Sequence, residues 1–379
     1  MDSSPQSALP PDSAEAREYS RKRRWLSVAD AAIGFAVLLG LLLTGWTSDY
    51  RDLAWHLSHE HYALALFFYV AFLAATTKLA GLALDFYGFR LEHHFHLSNQ
   101  RMGAWLFDEL KGWLVGLALG AIVAEMVYWM IRNTSLWWVW SWLAFLVLFV
   151  LLAQLAPVLL LPLFYTFKPL EDEELKRRLV TLSERAGTRV RGVYEWKLSE
   201  KSKKANAALT GLGNTRRIIL ADTLLQNYSH DEIEAVLAHE LGHHVHRHIP
   251  KSIVVQAVVS LFGFWAAHEA LRRFVEHSHS FNGIWDFADL PLLALVASAL
   301  SLLLLPAMNA YSRFNERQAD NYCFRSVPSV APFKTAMEKL SEQNLSEKTP
   351  SRLVEVLFHS HPAVSKRLAA AEAWAARRS

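Results

Sequence analysis

At 379 residues the chain could fill two or three ordinary domains, but 52% hydrophobic content beside only 20% charged residues is too apolar for a typical soluble protein and points to a membrane. A net charge of +3, with no nucleic-acid motif beside it, argues against a polyanion-binding face, so no nucleic acid is expected as partner. The single cysteine, Cys323, excludes an internal disulfide framework and a zinc site of several thiolates. Any metal must use nitrogen and oxygen ligands.

Residues 1–26 read as a mobile tail, rich in Ser, Pro and Ala at first and closing on the basic run Arg21, Lys22, Arg23 and Arg24. A helix needs roughly 20 apolar residues to cross a hydrocarbon layer of about 30 Å, and six windows meet or approach that. They are Ser27 to Trp46, Tyr62 to Leu84, Trp113 to Ile131, Leu136 to Leu161, Ile253 to Leu271, and Leu290 to Met308. The first, behind its basic run and with no small-residue cleavage site, reads as an uncleaved signal anchor. Arg21 to Arg24 should stay in the cytoplasm, with Arg51 outside and Arg90, Arg101 and Lys111 inside; Arg272 and Arg273, at an outer boundary, break the pattern. Glu125, His268 and Glu269 are costly against lipid and are expected to face a water-filled interior or one another, and Lys78 to snorkel.

These windows divide the chain into membrane helices over 27–166, a cytoplasmic insert over 167–251, two further spans over 252–309, and a C-terminal part over 310–379. The insert is dense in Lys, Arg, Glu and Asp from Lys168 to Arg185. Within it "YEWKL" and "RRIILAD" read as strands, and "GLGN", Gly211 to Asn214, as a turn between "ANAALT" and the second of them. The "GLG" leads into a strand and so is no dinucleotide fingerprint.

Ser229 and Glu232 fit a capping box, with Tyr228 and Ile233 placed as a staple, so a helix should start at His230 and run through "VLAHELGHHVHRH". Residues four apart share a helix face, so His239 and His243 can reach one ion, as can His244 and His248. Only the first pair has an acid beside it, Glu240, and a catalytic zinc needs three protein ligands plus an open position whose water such a carboxylate can deprotonate. His244, His246 and His248 read as ordinary helix-end histidines. A metzincin continuation is excluded, since residues 246 and 249 are His246 and Ile249. A glutamate from a later helix is the alternative, and "SRFNERQAD" past the sixth window supplies Glu316, with Asp320 four residues on, placed to orient a ligand histidine. Six crossings return the chain to the side of the insert, so Glu316 lies where His239 and His243 are.

His-Glu-Leu-Gly-His, Ser312-Arg313, Glu316 through Ala319-Asp320, Asn206-Ala207 with Gly211, "HSHPAVSKRL" around His361-Pro362, and "LEHHFHLSNQ" from Leu91 to Gln100 together resemble the integral-membrane zinc CAAX prenyl endopeptidases, which share a wider family with HtpX. The resemblance covers roughly Tyr62 to Ala371. It implies one zinc per chain on His239, His243 and Glu316, Glu240 as general base, and Asn206 and His361 as substrate-positioning groups. It also implies a mainly α, polytopic membrane protein whose helical chamber is capped by a gluzincin-like α+β catalytic domain. Members of that family have seven membrane helices; six are counted here, and an N-terminal span is expected to be missing.

The expected function is therefore a membrane-embedded zinc metalloendopeptidase acting on a peptide or protein substrate, prenylated or similar, within a lipid bilayer. Its catalytic part should face the cytoplasm, from the inner membrane of a bacterium or the endoplasmic reticulum of a eukaryote. The alternatives are an HtpX-like quality-control protease and, in another class, a non-enzymatic zinc transporter or sensor, whose ligands should sit in mid-span.

Overall fold

In the computed structural model, residues 12–211, 216–277 and 281–378 are described. The chain runs α1 (Ala14–Thr44), α2 (Trp46–Leu57), α3 (Tyr62–His94), α4 (Met102–Asn133), α5 (Trp137–Leu155), α6 (Leu161–Phe164), β1 (Phe167–Pro169), α7 (Glu173–Arg185), β2 (Gly192–Trp196), β3 (Ala207–Thr210), β4 (Arg217–Ala221), α8 (Asp222–Asn227), α9 (His230–Val245), α10 (His248–His277), α11 (Leu290–Ser326), α12 (Ala331–Gln343), α13 (Arg352–Phe358) and α14 (Val364–Ala375). Among the described residues six helices are long and apolar enough to cross a membrane, one for each expected window. Their outer faces present Leu43, Leu79, Val147, Val254 and Leu303 to the surroundings, as lipid contact requires.

Three expectations need correction. The tail expected to reach residue 26 is already helical from Ala14, because Ser13 caps the helix by accepting from the Ala16 N–H at 3.0 Å and Asp12 accepts from the Lys348 and Thr349 N–H groups. Lys78 does not snorkel; it pairs with Asp85 at 2.6 Å and with Glu109 of α4, inside the bundle. His268 and Glu269 do not face one another. The His268 ring lies against Trp137 and Trp138, while Glu269 pairs with Arg272 and Arg273 on its own helix, 3.2 and 3.5 Å away. That pairing offsets the two arginines that break the charge pattern.

Proline shapes the end of the fourth span: Pro157 and Pro162 lack the N–H that an α-helix needs, and the helix widens to a π turn over Ala156–Leu160. The sheet has the order β1-β2-β4-β3. β2 and β4 run parallel, Val193 opposite Ile218, and β3 pairs antiparallel with β4, Leu209 opposite Ile218, leaving β3 on an edge. After Arg217, β4 is apolar throughout, and Ile218, Leu220 and Ala221 are wholly buried, as for a strand covered on both faces. β1, only three residues long, was not expected; it pairs antiparallel with β2. Gly211 leaves β3 with φ +88°, but the rest of the expected turn to Asn214 lies outside the described residues.

One apolar core joins Leu175 and Leu179 of α7, Ile218 and Leu220 of β4, Ile233, Leu237 and Leu241 of α9, Phe324 of α11, Phe333 of α12 and Leu368 of α14. This core gathers both halves of the catalytic part around α11. The expected boundary between 309 and 310 falls inside that helix. At 37 residues α11 is about 55 Å long, well beyond the thickness of a bilayer core, so its last turns stand clear of the lipid as part of the same rod.

Candidate metal centre

The site begins with how α9 starts and what it packs on. Ser229 accepts from the Glu232 N–H, and Glu232 accepts from the Ser229 N–H at 2.8 Å, the reciprocal cap read from the sequence. Tyr228 and Ile233 are both buried in the core beside it. Further along, the glycine of His-Glu-Leu-Gly-His has a packing reason: a Cβ at Gly242 would lie 2.7 Å from the Ala319 Cα. Without a side chain there, α9 and α11 touch backbone to backbone. Glu316 and Asp320 on α11 thereby come to the side of α9 that carries His239 and His243.

The three expected ligands converge. His239 Nε2 lies 3.3 Å from Glu316 Oε2, His243 Nε2 lies 3.3 Å from Glu316 Oε1, and the two Nε2 atoms are 3.3 Å apart. Donors bound at about 2.0–2.2 Å to a tetrahedral ion are separated by about 3.3 Å, so the triangle has the size zinc requires. Glu316 Oε2 is buried with no hydrogen-bond partner, an orphaned acceptor that a cation would satisfy. His239 reports the same preference: burial opposes its protonation, but the bond to Asp320 and the nearby Glu316 carboxylate outweigh it and raise its pKa to about 9 in the metal-free chain. A positive charge is favoured at this point, and a divalent ion would replace the proton.

Each ligand histidine is supported from behind. His239 Nδ1 lies 2.9 Å from Asp320 Oδ1, the role expected of Asp320. Asp320 in turn takes two bonds from the buried guanidinium of Arg367, at 2.9 and 2.6 Å. Arg367 was not singled out from the sequence, although it lies within the motif "HSHPAVSKRL" and enters the Leu-Ala-Ala-Ala stretch of α14. Behind His243 stands His248, with the two Nδ1 atoms 3.0 Å apart, and His248 Nε2 lies 2.9 Å from Gln318 Oε1. A carbonyl oxygen only accepts, so the His248 proton is on Nε2, the His243 proton is on Nδ1, and His243 Nε2 is left with a free lone pair for a metal. The reading of His248 as an ordinary helix-end residue is corrected accordingly. It is 4% exposed and bonded to His243, one of the three candidate ligands.

Glu240 is half-buried and lines a cavity of about 850 Å³ together with Asn206, His239 and His361. Burial pushes its carboxyl above the ordinary range, against the lowering effect of His239 and His243. His361 Nε2 lies 3.4 Å from Glu316 Oε1, on a loop that Arg313 holds by donating to the carbonyls of Glu355 and His359 at 2.9 and 2.6 Å. Asn206 is exposed to the same cavity, immediately before β3. Four residues singled out from the sequence, Asn206, His239, Glu240 and His361, thus line one space; His243 and Glu316 meet His239 beside it, and Asp320 lies just behind.

Comparison with known proteins agrees with this geometry. Residues 8–166 match the CAAX prenyl protease N-terminal family, described as five membrane helices. Among the described residues that stretch holds four helices of spanning length, and α2, of 12 residues, is too short to cross. The chain is 29% identical over 368 residues to the uncharacterized metalloprotease YhfN of Bacillus subtilis, covering 96% of this chain and 86% of that protein. It is 29% identical over 322 residues to CAAX prenyl protease 1 of Saccharomyces cerevisiae, covering 80% of this chain and 71% of the yeast protein. The crystal structure of S. mikatae Ste24p superposes with a TM-score of 0.84 at 26% identity, over 94% of this chain and 87% of that one. The family match over residues 169–375 spans every group of the metal centre, and the chain belongs to peptidase family M48.

Proposed function

We propose that this membrane metallopeptidase is a zinc endopeptidase of the CAAX prenyl protease type, removing C-terminal residues from prenylated or similar peptides. The observation that carries the reading is the triangle of His239, His243 and Glu316 donors beside Glu240 on one cavity. Zinc, when bound, polarises a carbonyl and acidifies a water. The remaining roles belong to the chain. Glu240 takes the proton of the attacking water, and its upward-shifted carboxyl is suited to hold that proton and return it to the leaving amine. His361, at the rim of the triangle, donates to the oxyanion, and Asn206 fixes the peptide as it lies along the edge of β3. Asp320 holds His239 in the ligating tautomer.

On this reading residues 27–166 form the membrane chamber, and the catalytic part faces the cytoplasm, in a bacterial inner membrane or a eukaryotic endoplasmic reticulum. A transporter would need ligands in mid-span, whereas His239 and His243 lie on a helix that does not span. Glu240→Gln should lower kcat by a factor of about 10² to 10⁴ on a prenylated tetrapeptide-tailed substrate while one zinc per chain is retained. Normal cleavage by that variant would remove Glu240 from the mechanism. Cleavage of an unfolded membrane protein in preference to the prenylated peptide would favour the quality-control reading.

A further inference from the structure

The basic run that precedes the first span finds no use in the chemistry above, yet the structure brings it to the site. Tyr19, Arg23 and Arg24 of α1 line the same cavity as Glu240, Asn206 and His239. Arg24 has its own counter-ion, Glu347, at 2.7 Å. Arg23 does not: the carboxylate it approaches, Glu92, is 3.9 Å away and already accepts from the Tyr19 hydroxyl at 2.6 Å and from Lys204 Nζ at 3.0 Å. Two cations share one carboxylate, and the Arg23 side chain, which lines the cavity, is 49% exposed. One positive charge is left over.

Its position along the edge strand gives that charge a meaning. Lys204 stands two residues before Asn206, whose carbonyl accepts from the Ala221 N–H at 3.0 Å as the chain enters β3. Lys204 and Arg23 therefore mark the N-terminal end of the free edge. A peptide pairing antiparallel with β3 directs its own C-terminus to that end; a parallel one would bring its N-terminal side there, where two cations repel an ammonium and attract only an anion. Three residues beyond a cleaved bond extend about 10 Å, a reach that fits within a cavity of this size.

We infer that Arg23, with Lys204, is the subsite for the C-terminal carboxylate of the substrate, which lies antiparallel to β3 with its free end against α1. The guanidinium fork suits a carboxylate in two-point contact and an amide far less. The inference rests on the proposed peptidase reading, and the two can fail separately.

The test uses full-length, zinc-loaded protein in detergent with Glu240→Gln to prevent turnover, and a fluorescent prenylated peptide ending either in a free carboxylate or in an amide. The acid should bind at least about tenfold more tightly than the amide. Arg23→Gln should bring that ratio towards one, and Arg23→Lys, which keeps the charge but loses the fork, should keep only part of it, with zinc content reporting that each variant is folded at the site. Equal binding of acid and amide, or a preference that survives Arg23→Gln because the carboxylate sits on the metal, would overturn the subsite. Cleavage of the acid peptide by the unaltered protein is scored in parallel. A binding preference without cleavage would refute the peptidase reading and leave the subsite standing, while cleavage without preference would do the reverse.

Discussion

On His239 the Nδ1 proton goes to a carboxylate that a buried arginine neutralises; on His243 it goes to a second imidazole that ends on an amide. Both arrangements fix a ring orientation and leave Nε2 free, the first through a buried ion pair and the second through a chain of neutral groups. Removing such a partner costs metal affinity more than fold. His248→Ala should therefore weaken zinc binding about 10- to 100-fold in chelator competition, with the helical circular dichroism retained. His248→Gln, which can still accept from His243, should recover part of the loss. Both ligand histidines were evident from their spacing, because a metal pair needs only one helix face. His248 and Arg367 were not, because a supporting role depends on what lies across the interface.

Helix α9 depends on its two ends in different ways. At its start the capping box is closed by Lys339, whose Nζ lies 2.7 Å from Glu232. Burial raises the Glu232 carboxyl, but the bonds from Lys339 and from the Ser229 N–H hold it below the ordinary range. A carboxylate with a depressed folded pKa stabilises above its unfolded value, about 4.3, and the contribution is lost as pH falls through the folded value. The protection factors of the Ile233 to Val236 amides, taken against intrinsic exchange at the same pH, should fall on acidification from about pH 4, and Ser229→Ala should destabilise the helix by about 1 kcal/mol at neutral pH. Near its other end the limit is steric. Gly242→Ala places a methyl against the Ala319 backbone, at an overpacking cost of about 1–3 kcal/mol, and should part α9 from α11. The expected result is loss of zinc stoichiometry by metal analysis in a protein that still inserts into membranes.

Across the whole molecule the ligands are supplied by two helices already packed through one apolar core, which includes Leu237, Leu241 and Phe324. Zinc is therefore not needed to bring them together. Stripping the metal with a chelator should abolish cleavage and lower the melting temperature only by the mass-action share of metal binding, leaving helical content intact and activity restorable by zinc. An irreversible collapse of structure on chelation would show that the ion, and not the core, holds α9 to α11.

What the sequence by itself determined follows from periods and counts that need no partner. Apolar windows of spanning length gave six helices, the four-residue spacing with an adjacent acid gave His239, His243 and Glu240, and crossing parity placed Glu316 on their side. Packing decided the rest. That α11 is a single rod carrying Glu316 past the bilayer, that Gly242 lets it touch α9, that Arg367 and His248 stand behind the ligands, and that the first helix turns Arg23 into the cavity are contacts between segments far apart in the chain. A local pattern records which face of an element is apolar or charged, whereas the identity of the surface it meets is set only when the core closes.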